Sequence, residues 1–336
     1  MSNRLRPGIY SSYEVNSEKL NAGGRAVALC AEAGGSEAKS IATYADAVTA
    51  YGSDCNMTKL IRIILNNGAG VVKAIPVIDS DYAAAFASAI AERDAEYIVC
   101  DSETASVHAA LKSALLNADE DEKYKLGIVQ LGGEAEDIIS AAESLNFERI
   151  VLCGNSEENG VTGSVAAAVA GIIASRTDPA LPLNGAALQG ISELSESFSD
   201  AETEQLLYGG VTPVEKDADE IVIVRGITTK TETGGVYDSS LRDVNTVLVI
   251  NDVIPAVSAA LKKYFVRTKN TPQTRGAIRT QTVLLLEEKL KQEIIASYSN
   301  VRAEADGDDP TICRVSFEFS VMSGLNTIEL LACLTV

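Results

Sequence analysis

The sequence contains no tryptophan, one histidine and only 5% aromatic residues. Its six cysteines, Cys30, Cys55, Cys100, Cys153, Cys313 and Cys333, are scattered without a C-x-x-C pair. With His108 as the sole imidazole, a zinc site of the Cys/His kinds has no support. Cys100 and Cys153 each close an apolar run (YIVC, IVLC) and read as buried reduced thiols acting as small hydrophobes. No apolar run reaches the ~20 residues needed to cross a bilayer. The opening MSNRLRPGIYSSYEV has two arginines but no apolar h-region, so it does not read as a secretory signal, and the expectation is synthesis in the cytoplasm.

The usual motifs of catalysis and cofactor binding are missing too. There is no G-x-G-x-x-G, P-loop, G-x-S-x-G elbow or H-E-x-x-H. The nearest glycine turn, LGGEAED, puts Glu134, Glu136 and Asp137 in a first helical turn, where carboxylates satisfy the dipole and repel a phosphate. His108, beside Val107 and Leu111 on an expected helix, reads as a solvent-edge histidine rather than a catalytic base. The acidic run ADEDEKY (118–124) lacks the glycine and spacing of a calcium loop and reads as a solvated loop. Nothing singles out a carboxylate pair among the 47 acids. Catalytic, metal and cofactor residues are therefore all expected to be none.

What is present is a chain of 336 residues, 46% hydrophobic and 22% charged, enough for about two domains and a sizeable core. The net charge of −19 disfavours nucleic acid and anionic lipid as partners. It is unevenly spread: residues 1–75 carry +2, 76–160 carry −13, 161–250 carry −8 and 251–336 carry 0. Lys262, Lys263, Arg267, Lys269, Arg275 and Arg279 follow one another with no acid between Asp252 and Glu287. This cationic segment reads either as a solvated helix end and loop, or as a docking surface for an acidic partner such as another copy of the same molecule.

Between residues 70 and 153, β-rich runs alternate with helical ones. VVKAIPV (71–77), EYIVC (96–100), KLGIVQL (125–131) and RIVLC (149–153) predict strands; the intervening segments are long enough for three or four helical turns. That alternation predicts an α/β fold with a central parallel sheet and flanking helices. Asp101, Ser102 and Glu103 are expected to cap the second helix, and Gly132, Gly133 and Glu134 to open the third. After 153, GVTGSVAAAVAGIIASR predicts a small-residue helix, DPALPLNGAALQGI an irregular crossing and DEIVIVRGI a strand. VNTVLVINDVIPAVSAALKKYF and TRGAIRTQTVLLLEEKLKQEIIASY predict two long helices, the first kinked or split at Pro255, opening a second unit.

CRVSFEFSVM carries the clearest strand pattern, with Val315, Phe317, Phe319 and Val321 on one face. After a turn at Ser323 and Gly324, Ile328, Leu330, Ala332, Leu334 and Val336 again share a face. At the other end LRPGIYSSYEV reads as extended, with Ile9 and Val15 apolar and Tyr10 and Tyr13 interleaved, and a long polar stretch separates it from the α/β core. Either these terminal strands fold back on their own sheet, or they leave the subunit and complete a neighbour's. Eleven extended residues span ~36 Å, far enough to reach an adjacent protomer.

These residues resemble one family. LRPGIY is similar to the R-P-G-x-Y start of contractile tail sheath proteins, found in contractile phage tails and phage-tail-like bacteriocins. In order follow the acidic α/β middle, the block GSVAAAVAGIIASRTDPALPLNGAALQGI with Arg176, Asp178, Pro182, Asn184 and Gly185, and the segment NTPQTRGAIRTQTVLLLEEKLKQEI before a terminal strand pair. The resemblance implies a structural protein without enzymatic activity or cofactor, polymerising as stacked six-fold rings around a tail tube and contracting to drive that tube through an envelope. It implies an N-terminal arm and linker (1–24) using Leu5, Pro7, Gly8, Ile9, Tyr10, Tyr13 and Val15, an α/β domain (25–240, core about 70–175), an α+β C-terminal inner domain (241–325) and a C-terminal arm strand (326–336).

On this reading arms from neighbouring subunits add to the sheet that contains Val315, Phe317, Phe319 and Val321, with hinges at 16–24 and 323–326. The cationic residues 262–279 become a tube or inter-ring contact. The implied partners are other copies of the chain, the tail tube protein, and baseplate and tail terminator proteins, with no nucleic acid and no direct membrane insertion. The implied location is a particle assembled in the bacterial cytoplasm and released as a virion tail or bacteriocin. The chain is short for such a protein and carries no insertion resembling the outward domains of larger members. The alternative reading is a cytosolic doubly wound α/β enzyme or small-ligand binder; a surface-layer protein would need an export signal.

Overall fold

The computed structural model describes residues 24–33, 37–120 and 123–326. The chain begins with β1 (Ala26–Glu32), β2 (Lys39–Ile41), α1 (Tyr44–Tyr51) and α2 (Asn56–Asn66). Then comes the expected alternation: β3 (Val71–Val77), α3 (Tyr82–Ala91), β4 (Ala95–Cys100), α4 (Ala105–Glu120), β5 (Leu126–Leu131), α5 (Ala135–Leu145) and β6 (Ile150–Gly154). It continues with α6 (Ser164–Ser175), α7 (Asp200–Tyr208), β7 (Thr212–Asp217), β8 (Glu220–Ile223), β9 (Glu232–Thr233) and β10 (Val236–Tyr237). Last come α8 (Val244–Phe265), α9 (Pro272–Lys291), β11 (Ile295–Ala305) and β12 (Cys313–Val321).

The main sheet has the order β2-β3-β1-β4-β5-β6-β7-β8. Its neighbours from β3 to β7 are parallel, and β2 and β8 close the two edges antiparallel. Helices α1, α2 and α6 bury one face of it; α3, α4, α5 and α7 bury the other. Central strands therefore have no polar face, which is why they read as continuous apolar runs rather than alternating ones. Local signals set the helix starts. Thr43 and Asp81 accept the N–H of Asp46 and Ala84, Ser199 and Glu202 form a reciprocal capping box at α7, and Thr271 with Pro272 opens α9.

The small-residue helix α6 is the most enclosed element, buried at every position from Ser164 to Ala174. Its composition lets α2 approach closely: a Cβ on Gly171 would stand 2.6 Å from the Ile64 carbonyl oxygen. The irregular crossing after α6 then protects the β8 edge. Gly185 and Leu188 donate to the carbonyls of Ile223 and Ile221, and Ile223 donates to Ala186, at 2.7–3.0 Å. An edge covered in this way is not available for unintended pairing.

Several expectations need correcting. The sheet begins before the alternation read from residue 70: β1 lies inside it, with Val27–Ala31 fully buried, because helices cover both of its faces. The helix expected to end at Tyr298 ends at Lys291, and IASY from Ile295 starts β11, since Glu293 adopts φ 58° and breaks the helical path. Helix α8 is not split at Pro255 but runs as one element of 22 residues. It is also long and apolar enough, by length and composition alone, to cross a membrane, contrary to the expectation that no run qualifies. Asp252 in its middle is instead engaged by Lys289 and Arg25.

Helix α8 joins two cores. Val244, Val247 and Leu248 pack with the main sheet, while Val249 and Val253 pack with Leu286, Ile294, Ile295 and Val301 beneath the β11–β12 pair.

Candidate functional site

A doubly wound sheet of this order leaves its customary ligand crevice at the carboxyl ends of β1 and β4, where the crossovers diverge. Here that crevice is tied together by the chain itself. Asp101, just past β4, accepts the Glu32 N–H and the Tyr82 hydroxyl, both at 2.8 Å. Burial raises the Asp101 pKa, an effect opposed by those two hydrogen bonds. Next to it Glu103 accepts the Gln130 side-chain amide and the Ser156 hydroxyl, both at 2.7 Å, and the Gly132 N–H at 3.3 Å.

The exposed N–H groups that a helix start would offer a phosphate are also engaged. Gln130 Oε1 accepts from Val165 at 2.8 Å and Ala166 at 3.1 Å, the first turn of α6. Gln130 and Asn155 are buried, and Asn155 Oδ1 accepts from Ser156, Ser195 and Glu196. Asp101 and Glu103 thus bridge strands rather than cap α4, as had been expected; only Ser102 makes a local bond, accepting the Thr104 N–H at 3.2 Å. His108 is likewise corrected. It is 2% exposed, with Nε2 2.9 Å from the Ser102 carbonyl, and burial lowers its pKa. Within ADEDEKY, Asp119 belongs to α4 and pairs with Arg149 at 2.7 Å, so it is not part of a solvated loop.

At the other end, β11 and β12 pair antiparallel from Ile295 with Val321 to Ala305 with Cys313. Val315, Phe317, Phe319 and Val321 share the half-buried face and Arg314, Ser316, Glu318 and Ser320 the exposed one. The Phe317 and Phe319 rings lie 6.1 Å apart over the third core. Arg279 Nε donates to the Val301 carbonyl at 2.8 Å, beside Asn300 at φ 53°, where the register shifts. Among the described residues no third strand pairs with either outer edge of this sheet. Two strands alone are a marginal sheet in water.

The cationic segment divides in two. Arg275 donates to Asn270 Oδ1 at 2.9 Å and Arg279 to Val301, so these two brace the fold. Lys262, Lys263, Arg267 and Lys269 are exposed, and no ion pair engages them among the described residues. Lys263 rests 5.4 Å from the Tyr264 ring centre.

The crossing residues singled out by the sequence also have definite tasks. Arg176 Nη1 donates to the carbonyls of Leu181 and Pro182, each at 2.5 Å, and Asp178 accepts the Ala180 N–H at 2.9 Å. Asn184 donates to Asn326 Oδ1 at 2.8 Å, anchoring the end of the described chain. Leu5, Pro7, Gly8, Ile9, Tyr10, Tyr13 and Val15, together with Ile328, Leu330, Ala332, Leu334, Val336 and Cys333, lie outside the described residues, as does the fold-back expected for the last strand.

Comparison with known proteins finds the same architecture in solved structures. The fold is that of tail sheath proteins. A protein in the anti-feeding prophage (AFP) baseplate superposes with TM-score 0.73 at 14% identity over 99% of this chain and 100% of that one. The AFP helical sheath in its contracted state gives 0.69 at 15% identity over 98% of each chain. The sheath tail protein of Desulfitobacterium hafniense gives 0.69 at 11% identity over 94% of this chain and 100% of that one. Residues 77–229 match the family model for the phage tail sheath protein central domain, and no curated protein matches the chain. Residues 77–229 are thus similar to the phage tail sheath central domain, and the fold of the chain is the one seen in these sheath structures.

Proposed function

We propose that this chain is the repeating subunit of a contractile tail sheath. Copies polymerise as stacked six-fold rings around a tail tube, bounded by baseplate and terminator proteins. Contraction drives the tube through an envelope, after assembly in the bacterial cytoplasm and release with a virion tail or bacteriocin.

The observation that carries this reading is the β11–β12 pair, whose two outer edges are unpaired among the described residues and whose apolar face already sits on α8 and α9. A strand-patterned arm from a neighbour would meet those edges with backbone hydrogen bonds for affinity and alternating side chains for register. A link of that kind survives rigid-body rotation of the subunits if a short hinge absorbs the change. The enzyme alternative finds the crevice it would use bridged by Asp101 and Glu103.

The test is direct. Purified full-length protein is expected to form tubes in negative-stain micrographs, and deleting residues 1–15 or 326–336 is expected to leave folded monomers. Unchanged tubes from both truncations would sink the arm mechanism.

A further inference from the structure

One cleft serves neither the crevice network nor the strand pair. It lies between α5, α7 and the β9–β10 hairpin and has a volume of about 600 Å³. Tyr208 and Tyr237 stack within it, ring centres 5.2 Å apart and planes 7° from parallel, though both are well exposed, at 64% and 43%. Arg242 fixes the pair, donating to the Tyr237 hydroxyl at 2.9 Å and to the Leu207 carbonyl at 2.6 Å. Glu143, Glu204 and Glu232 also line the cleft, whose lining includes no lysine or arginine. None of the three carboxylates is in an ion pair among the described residues. An electron-rich aromatic platform ringed by carboxylates binds ammonium and guanidinium groups.

We infer that this cleft receives the cationic segment 262–269 of a second copy of the chain. Among the described residues, Lys262, Lys263, Arg267 and Lys269 have no ion pair, and none of them lines the cleft of its own copy. Tyr264 and Val266 between them are 56% and 69% exposed, giving the segment apolar surface to lay against the tyrosines. On a protein of charge −19, joining its acidic middle to this cationic run also favours one register, because setting two acidic middles against each other brings like charges together. The inference rests on the assembly reading above.

Charge reversal tests it on the full chain. A cleft variant (Glu143→Lys, Glu204→Lys, Glu232→Lys) and a segment variant (Lys262→Glu, Lys263→Glu, Arg267→Glu, Lys269→Glu) are each expected to lower the sedimentable polymer by about tenfold or more at low salt. Mixing the two variants, or combining them in one chain, is expected to restore it. In parallel, polymer made from equal parts of 14N and 15N protein is treated with a zero-length carbodiimide. Cross-linked peptides of mixed isotope joining Lys262 or Lys263 to Glu204 or Glu232 support the contact. Wild-type polymer with no such peptides and with both variants unaffected overturns this inference while leaving the assembly reading intact. Failure of the wild type to polymerise overturns both.

Discussion

Asp252 Oδ2 receives the Lys289 ammonium at 2.5 Å, which pins the middle of α8 to the last turns of α9. The other oxygen of Asp252 faces Arg25 at 3.7 Å, and Arg25 in turn holds Glu96 at 2.5 Å. One carboxylate therefore connects the foot of β1, the long helix and the strand-bearing unit.

Replacing Asp252 with alanine strands Lys289, whose side chain is only 16% exposed, while Arg25 keeps Glu96. The expected loss is about 2 kcal/mol of folding stability. Urea unfolding of the variant is expected to show a lower midpoint, and a midpoint equal to that of the wild type would refute the link.

Gly171→Val should cost more than its size suggests. The Cβ would meet the Ile64 carbonyl oxygen and the Asn67 Cβ at 2.6 Å each, so α2 and α6 must separate inside a sealed layer. A loss of about 3 kcal/mol or failure to accumulate folded protein is expected, read by circular dichroism on heating. Gly276→Val, on α9 with nothing within 4 Å of its Cβ, serves as the control for helical glycine replacement.

Glu103→Ala removes the acceptor shared by Gln130, Ser156 and Gly132. About 2 kcal/mol of destabilisation is expected from the donors left behind. Hydrogen exchange at Val165 and Ala166 should accelerate as Gln130 loses its anchor, whereas exchange in β12 should not change.

Acidification should act through His108. Its folded pKa is depressed below 6.5 by burial, so as pH falls the unfolded chain takes up a proton before the folded one does. Stability attributable to His108 is complete above about pH 6.5 and declines below it by at most about 1.4 kcal/mol per pH unit, until the folded form also protonates. Comparing wild type with His108→Gln between pH 7.5 and 5.5 should show a shallower decline in the variant. Parallel declines would remove His108 as the cause.

How far the sequence could be read depended on which force shaped each segment. The strands from β3 to β6 were legible to within about a residue at each end because burial on both faces leaves an unbroken apolar run. By contrast β1, AVALCAE, is rich in alanine and gains its strand identity from pairing with β3 and β4, which a local reading does not see. The start of β11 was hidden because KLKQEIIASY has a helical rhythm, and only Ile295 and Val301 of the strand are buried. His108 misled because its polar partner, a backbone carbonyl, has no signature in the sequence. The alternating Val315, Phe317, Phe319 and Val321 were plain because one face alone is covered. In the crevice, Gln130 was the available clue, a lone polar residue ending an apolar strand, while the role of Glu103 depends on strands distant in sequence.

The uninterrupted course of α8 has a mechanical meaning. At 22 residues it is a rod of roughly 33 Å, gripped at one end by the large sheet and further along by the small one. A torque on the strand pair therefore arrives at the large sheet undiminished unless the rod bends. Pro255, which has no amide hydrogen to close its own turn, is where it would yield first.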